Sequence, residues 1–430
     1  MMIAQGILPF KLERTEELIT PRSGLVLFAE VIRSLKVKAK VGEHFPPPGS
    51  NRGYEAWEYV EPLLLMMEGG GRHVEDLREI EEDRALRKLV GLERMPSAST
   101  VGDWLMRVGA GGGVEAMAEV DEEVAVAIGQ RLAQAEYTLD VDATVIEAEK
   151  QEARWTYKKV RGYQPILGFL AESGVCVAHE FREGNVAAQS RAVKFVRRCL
   201  KRCPKIKRLR SDSAFYQGQV INFCEEKGIE FTITADQTAG VKEVIKTVRD
   251  WKPLRTSEGE ETDREVGTAI HMVAKAHEAV GLVVQRWHDP QLQLFEPSGY
   301  CYSVIATNRH ELSAEEVVWF HNERGQAENL IKELKIGLGM EQMTSGNFGA
   351  NALWFAIGVL AYNLTQAQKL LFLGGEWVKR TVATLRWKLI ERAGRLVRHG
   401  RQWVLKIAAS LEKLQLFLQV RSRCLDFAQT

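Results

Sequence analysis

The hydrophobic period of the chain changes at Tyr137, and that change limits the folds open to it. From Tyr54 to about Gly129 apolar residues recur at spacings of three and four: Trp57, Val60, Leu64 and Met67, then the pairs Leu77/Ile80 and Leu86/Leu89. That is the signature of helix faces. From Tyr137 to Thr144 the pattern alternates residue by residue. Two apolar runs follow, Tyr163–Leu170 and Val175–Phe181, joined by Glu172-Ser173-Gly174, which reads as a hairpin turn. A basic helix (Gln189–Arg202), a strand (Ile206–Asp212), a helix (Gln217–Lys227) and a strand (Ile229–Ala235) complete the series. Strand, hairpin, helix, strand, helix, strand is the order of a mixed α/β sheet with helices on its faces.

The flanks read differently. The first 50 residues are expected to be a poorly patterned arm ending in the stiff run Pro46-Pro47-Pro48-Gly49. Pro96-Ser97-Ala98-Ser99 introduces a helix through Val101, Trp104 and Leu105, with Ser99 the expected N-cap. With Arg94 and Arg107 nearby this region could be a DNA-reading helix-turn-helix, but its acidic balance favours a small helical bundle. Between about 241 and 310, Glu265–Ala274, Gly281–Trp287 and Tyr300–Thr307 read as strands of an inserted β-rich subdomain; helices resume at Ser313. The chain is expected to divide into a helical N-terminal region (1–130), a sheet domain in two parts (131–240 and 311–370) around the insertion (241–310), and a basic helical C-terminal region (371–430). Leu353–Leu364 is apolar for only about a dozen residues, short of the ~20 needed to span a bilayer, so a buried helix is expected there and no membrane partner. The six cysteines lack paired spacing, and no secretory signal pattern opens the chain, which points to a cytoplasmic protein.

The 58 basic and 57 acidic side chains nearly cancel, yet they are segregated. Residues 55–130 hold 17 acids and 7 bases, residues 191–210 hold 10 bases and no acid, and residues 371–430 hold 12 bases and 4 acids. Such asymmetry points to a polyanion partner, with 191–210 and 379–423 expected to supply phosphate contacts. Without that partner, the tail is expected to rest on acids such as Glu79, Glu81 and Glu82.

Four carboxylates stand out. Asp140 and Asp142 share one face of the first strand, because side chains alternate. Acids on a core strand are costly unless paired or bound to metal. Asp212 ends another apolar strand in Arg-Ser-Asp-Ser-Ala-Phe, and Glu328 lies on the helix after the insertion. Each has an ordinary reading: Asp140 a strand-edge acid, Asp142 a turn residue, Asp212 a helix cap, Glu328 a solvated helix acid. Together, oxygen ligands from two strands and a helix suit two Mg²⁺ ions.

The spacing around Glu328 adds a motif. His321, two residues, Arg324, three residues, Glu328, six residues, Lys335 resembles the Tyr-Arg-Glu-Lys motif of bacterial insertion-sequence transposases. Asp-Ala-Thr at 142–144, Val-Arg-Gly-Tyr-Gln-Pro at 160–165, Arg-Ser-Asp-Ser-Ala-Phe-Tyr at 210–216, Ala-Thr-Asn at 306–308 and Arg-His-Gly-Arg at 398–401 extend the likeness. The chain resembles DDE transposases of the transposase DDE domain group 1. That resemblance implies a ribonuclease-H-like mixed sheet with a β-rich insertion, and helical N- and C-terminal regions. It implies Asp142, Asp212 and Glu328 as the catalytic, metal-binding triad, with Asp140 in support. It also implies DNA contacts by Arg324 and Lys335, by His321 in the place of the motif's tyrosine, and by Trp287 stacking on an extruded base.

The function implied is cleavage of duplex DNA at the terminal inverted repeats of an insertion sequence, then attack of the freed 3′-hydroxyls on target DNA. Two Mg²⁺ ions, with Mn²⁺ able to substitute, a homodimer on DNA and a nucleoid-associated place in a bacterial cytoplasm belong to the same implication. The alternatives are a structure-specific nuclease of the same fold and a non-catalytic DNA-binding derivative.

Overall fold

The computed structural model describes residues 7–8, 10–49, 53–288 and 299–429. Its centre is one nine-stranded sheet built from Tyr137–Ala143 (β1), Ile166–Leu170 (β2), Cys176–Glu180 (β3), Ile206–Ser211 (β4), Glu230–Thr234 (β5), Lys252–Arg255 (β6), Glu261–His271 (β7), Val280–His288 (β8) and Tyr300–Thr307 (β9). The order across the sheet is β6-β7-β8-β9-β5-β4-β1-β2-β3. Strands β1, β4 and β5 run parallel to one another, while β2 and β3 form the antiparallel hairpin. Helices Ala192–Arg202 and Gly218–Lys227 make the crossovers. The core order β3-β2-β1-β4-β5 is the ribonuclease-H-like arrangement that the sequence leads one to expect.

The β-rich insertion does not form a body of its own. Strand β9 pairs antiparallel with β5, so β6 to β9 continue the same sheet. Ala306-Thr307-Asn308 fastens that joint. The Thr307 hydroxyl donates to the Phe231 carbonyl at 2.7 Å, and the Asn308 amide accepts from the Phe231 N–H and donates to the Ile229 carbonyl.

The helix Phe348–Ala367 runs through the middle of the molecule, with every side chain from Ala350 to Ala367 buried. It is long and apolar enough to cross a membrane by composition alone, but here protein surrounds it. It packs on the N-terminal helices Ala56–Glu68, Ala98–Gly109 and Gly113–Arg131 and on β3. Glycine is required where it meets Ala98–Gly109: a Cβ on Gly109 would stand 2.4 Å from the Gly349 carbonyl oxygen.

Three expectations need correction. The first 50 residues are not an arm: helices Leu25–Ser34 and Val37–His44 bury Leu25, Phe28, Val31, Ile32 and Val41. Leu25–Ser34 packs on the C-terminal helix Leu411–Gln429, a partner nearly four hundred residues away that local patterning cannot show. Second, the basic C-terminal region is only partly helical. Gly394–His399 and Gln402–Ile407 form a hairpin that pairs with Ile19–Thr20. Ion pairs from this tail reach Glu17 and Glu30; none to Glu79, Glu81 or Glu82 occurs among the described residues. Third, the cap of Ala98–Gly109 is Ser97, whose hydroxyl accepts from the Thr100 N–H, rather than Ser99.

Candidate active site

Parallel pairing sets the first two carboxylates side by side. Val141 on β1 is in register with Ser211 on β4, so the next residues, Asp142 and Asp212, emerge together at the C-terminal ends of adjacent strands. Asp212 also caps the following short turn, its Oδ1 accepting from the Ala214 N–H at 3.1 Å. This is the ordinary capping role of such an acid, served by one oxygen only. The helix Gly325–Lys332 packs on β1 and carries Glu328 to the same place. Asp142, Asp212, Arg324, Glu328 and Lys335 line one cleft of about 520 Å³.

Its charges are unevenly settled. Burial pushes the Asp142 carboxyl up to about 6, with Asp212 and Glu328 adding to the rise and Arg324 opposing it. Burial also raises Asp212, with Asp236 adding to it. Arg324 lies between acids, its Nη1 3.8 Å from Asp142 Oδ2 and its Nη2 3.5 Å from Glu328 Oε1. Lys335 donates to the Val145 carbonyl at 2.8 Å, and burial lowers its pKa.

The family model described as transposase DDE domain group 1 matches residues 10–427. The chain belongs to this family. A solved piggyBac transposase synaptic complex with hairpin DNA is similar over 96% of this chain and 84% of its own, at 10% identity and a TM-score of 0.46. No curated protein matches the chain.

The other candidate residues of this DDE transposase lie elsewhere. Asp140 is on the cleft-side face of β1 but is sealed against Arg210, whose Nε and Nη2 donate to its two oxygens at 2.7 and 2.9 Å. A carboxylate so occupied is not a metal ligand, and the supporting ligand role is withdrawn. The same guanidinium reaches the Phe320 carbonyl and Glu323. It thereby ties β1, β4 and the segment leading to Arg324 and Glu328 into one unit, a role the sequence does not suggest. His321 is 7% exposed and lies between Thr232 and Thr234 of β5, sharing hydrogen bonds with both hydroxyls. Burial drives its pKa down to about 4. Its helix, Ala314–Asn322, packs on the sheet, so this neutral imidazole holds helix to strand and does not face DNA. Trp287 is half-buried on β8 with the Arg264 guanidinium 4.5 Å from its ring centre, and it does not line the cleft.

Proposed function

We propose that this DDE transposase cuts duplex DNA at the ends of a bacterial insertion sequence and joins the freed 3′-hydroxyls to target DNA. The observation that carries this is the meeting of Asp142, Asp212 and Glu328, from two strand ends and a helix, in one cleft with unrelieved negative charge. The donor set is oxygen only, which suits Mg²⁺ or Mn²⁺. Among the described residues no three ligating side chains are gathered as a metal cage. Arg324 stands where a cation would, and the exposed Glu328 need only release it to join the two aspartates. Asp142 and Asp212 are therefore the residues that would hold divalent cations directly, with Glu328 completing the set; we take the number as two. Cations held there supply Lewis-acid stabilisation of the charge that builds on phosphodiester oxygens.

The chain's own groups do the rest. Asp142 must be ionised to serve, so its work is done above about pH 6. Arg324, once released by the carboxylates, and Lys335 flank the cleft as phosphate contacts. Two element ends need two such clefts, which makes a homodimer on DNA the working unit, within the bacterial nucleoid.

Donor ends incubated with supercoiled plasmid and Mg²⁺ test the reading. Joined products are expected, and Asp142→Asn or Asp212→Asn should abolish them. Cleavage without joining would favour the structure-specific nuclease instead. Binding without cleavage would favour the non-catalytic derivative.

A further inference from the structure

A second cavity of about 870 Å³ adjoins the cleft, and Tyr157 and Asp212 line both. Its wall includes Trp155, Asn185, Gln189 and Tyr216. Trp155 is 66% and Tyr157 69% exposed, a costly placement for two large rings. They are not on a loose loop. Arg154–Trp155 pairs with Arg161–Tyr163, which pairs with Ile146–Glu147, in a small three-stranded sheet. A Cβ on Gly162 would stand 2.0 Å from the Ile146 carbonyl oxygen, so only glycine permits that pairing. The turn is closed by the Thr156 hydroxyl donating to the Val160 carbonyl and by Arg161 donating to the carbonyls of Lys150 and Ala153. The fold thus fixes two aromatic side chains in solvent beside Asp212. Lys158, whose ammonium lies 5.8 Å from the Tyr157 ring centre, lines the cleft next to them. Inside the cavity wall the Tyr216 hydroxyl is buried and has no hydrogen-bond partner.

Exposed rings stack on nucleobases, an adjacent ammonium meets the phosphate, and an orphan hydroxyl needs a polar edge to bond. We propose that this cavity receives an unpaired nucleobase of the DNA strand lying in the cleft, stacked on Trp155 and Tyr157, with the Tyr216 hydroxyl on its polar edge. The proposal rests on the reading of the cleft as a DNA site and adds which strand state it takes: opened, not fully paired.

The test compares binding of the full chain to two DNA probes without divalent metal. One is a blunt duplex; the other is the same duplex with an unpaired tail carrying 2-aminopurine at the junction. Tighter binding of the tailed probe is expected, with 2-aminopurine fluorescence quenched by stacking. The double variant Trp155→Ala/Tyr157→Ala should lose the quench and reduce the preference for the tail by about five- to 150-fold, the range for stacking one base on a ring. Trp155→Phe should keep most of both effects, which separates stacking from damage to the fold. Equal binding of the two probes without quenching, or a double variant that keeps quench and preference, would overturn the proposal. Cleavage and joining of donor ends without any quench would sink this site alone. A quench in a protein that never cuts or joins would sink the transposition reading and leave the site standing.

Discussion

Two stretches carry the same kind of positive surplus and spend it in opposite directions. Within residues 191–210 most of the arginines turn to partners inside the fold. Arg198 and Arg202 pair with buried Glu122, Arg208 with Glu136 and Glu172, and Arg210 with Asp140 and Glu323. Arg191 pairs with Glu180, and Arg197 lies over the Phe223 ring. The lysines of that stretch, Lys194, Lys201, Lys205 and Lys207, are exposed. In the C-terminal region Lys388, Arg398, Arg401 and Lys406 are exposed, and none forms an ion pair among the described residues. The acidic character of residues 55–130 has the same explanation: Glu119 and Glu122 of the helix Gly113–Arg131 receive the basic helix. A run of bases therefore marks a DNA surface only where the fold leaves it unpaired. The expectation that 191–210 supplies phosphate contacts does not hold for its paired arginines, whereas the tail retains it.

The contrast can be broken by mutation, and the largest effect is expected at Arg210. Arg210→Ala leaves Asp140 buried without a cation, which should cost ~3–5 kcal/mol in chemical unfolding. A loss near zero would mean that the inward pairs are idle. Glu122→Gln, which takes the carboxylate from Arg198 and Arg202, should cost somewhat less, ~2–3 kcal/mol by the same measurement. Asp142 shows what a buried acid does without an arginine of its own. Its carboxyl is held at about 6 instead of the usual 3.8, so the unfolded chain gives up its proton first. The stability this group contributes is complete below about pH 4 and is lost as pH rises through 6. Metal-free Asp142→Asn should therefore be more stable than the parent at pH 7.5, by ~1–3 kcal/mol, and lack that pH dependence. Mg²⁺ should raise the melting temperature of the parent above pH 6 and not that of the variant. The smallest effect on folding is expected in the tail. Arg398→Ala, Arg401→Ala and Lys406→Ala together should leave the unfolding midpoint in place while lowering the salt slope of DNA binding by up to ~3, at about 0.9 for each phosphate no longer neutralised. An unchanged slope would remove the tail from the DNA surface.

The sequence carries the sheet because β1 to β5 are patterned locally, each strand alternating or apolar between clear turns. It carries the meeting of Asp142, Asp212 and Glu328 through short motifs with fixed spacing. What it cannot carry depends on partners far along the chain. Asp140 and Asp142 look alike on one strand face, and only the register of β1 against β4 gives Arg210 to the first and not to the second. His321 matches a motif position, yet its surroundings are set by Thr232 and Thr234 on another strand. The C-terminal hairpin alternates weakly, since Arg395, Arg398, Arg401 and Lys406 interrupt its apolar face, and its sequence passes for helix. Trp155 and Tyr157 sit in a stretch without strand-like period; their one signal is two large aromatics among charged neighbours, Arg154, Lys158 and Lys159.

The buried helix Phe348–Ala367 has a consequence for how the protein is made. The ribosome delivers the N-terminal helices first, and roughly 200 residues separate Arg131 from Phe348. Until that last apolar segment emerges, the faces of Ala56–Glu68, Ala98–Gly109 and Gly113–Arg131 that it covers have nothing to close on, and contacts at such separation form slowly. The chain must therefore be nearly finished before its first third can settle. An abortive product that stops short of Phe348 would be left with sticky open faces and cleared or aggregated, and would not persist as a fragment competing with the whole enzyme for DNA ends.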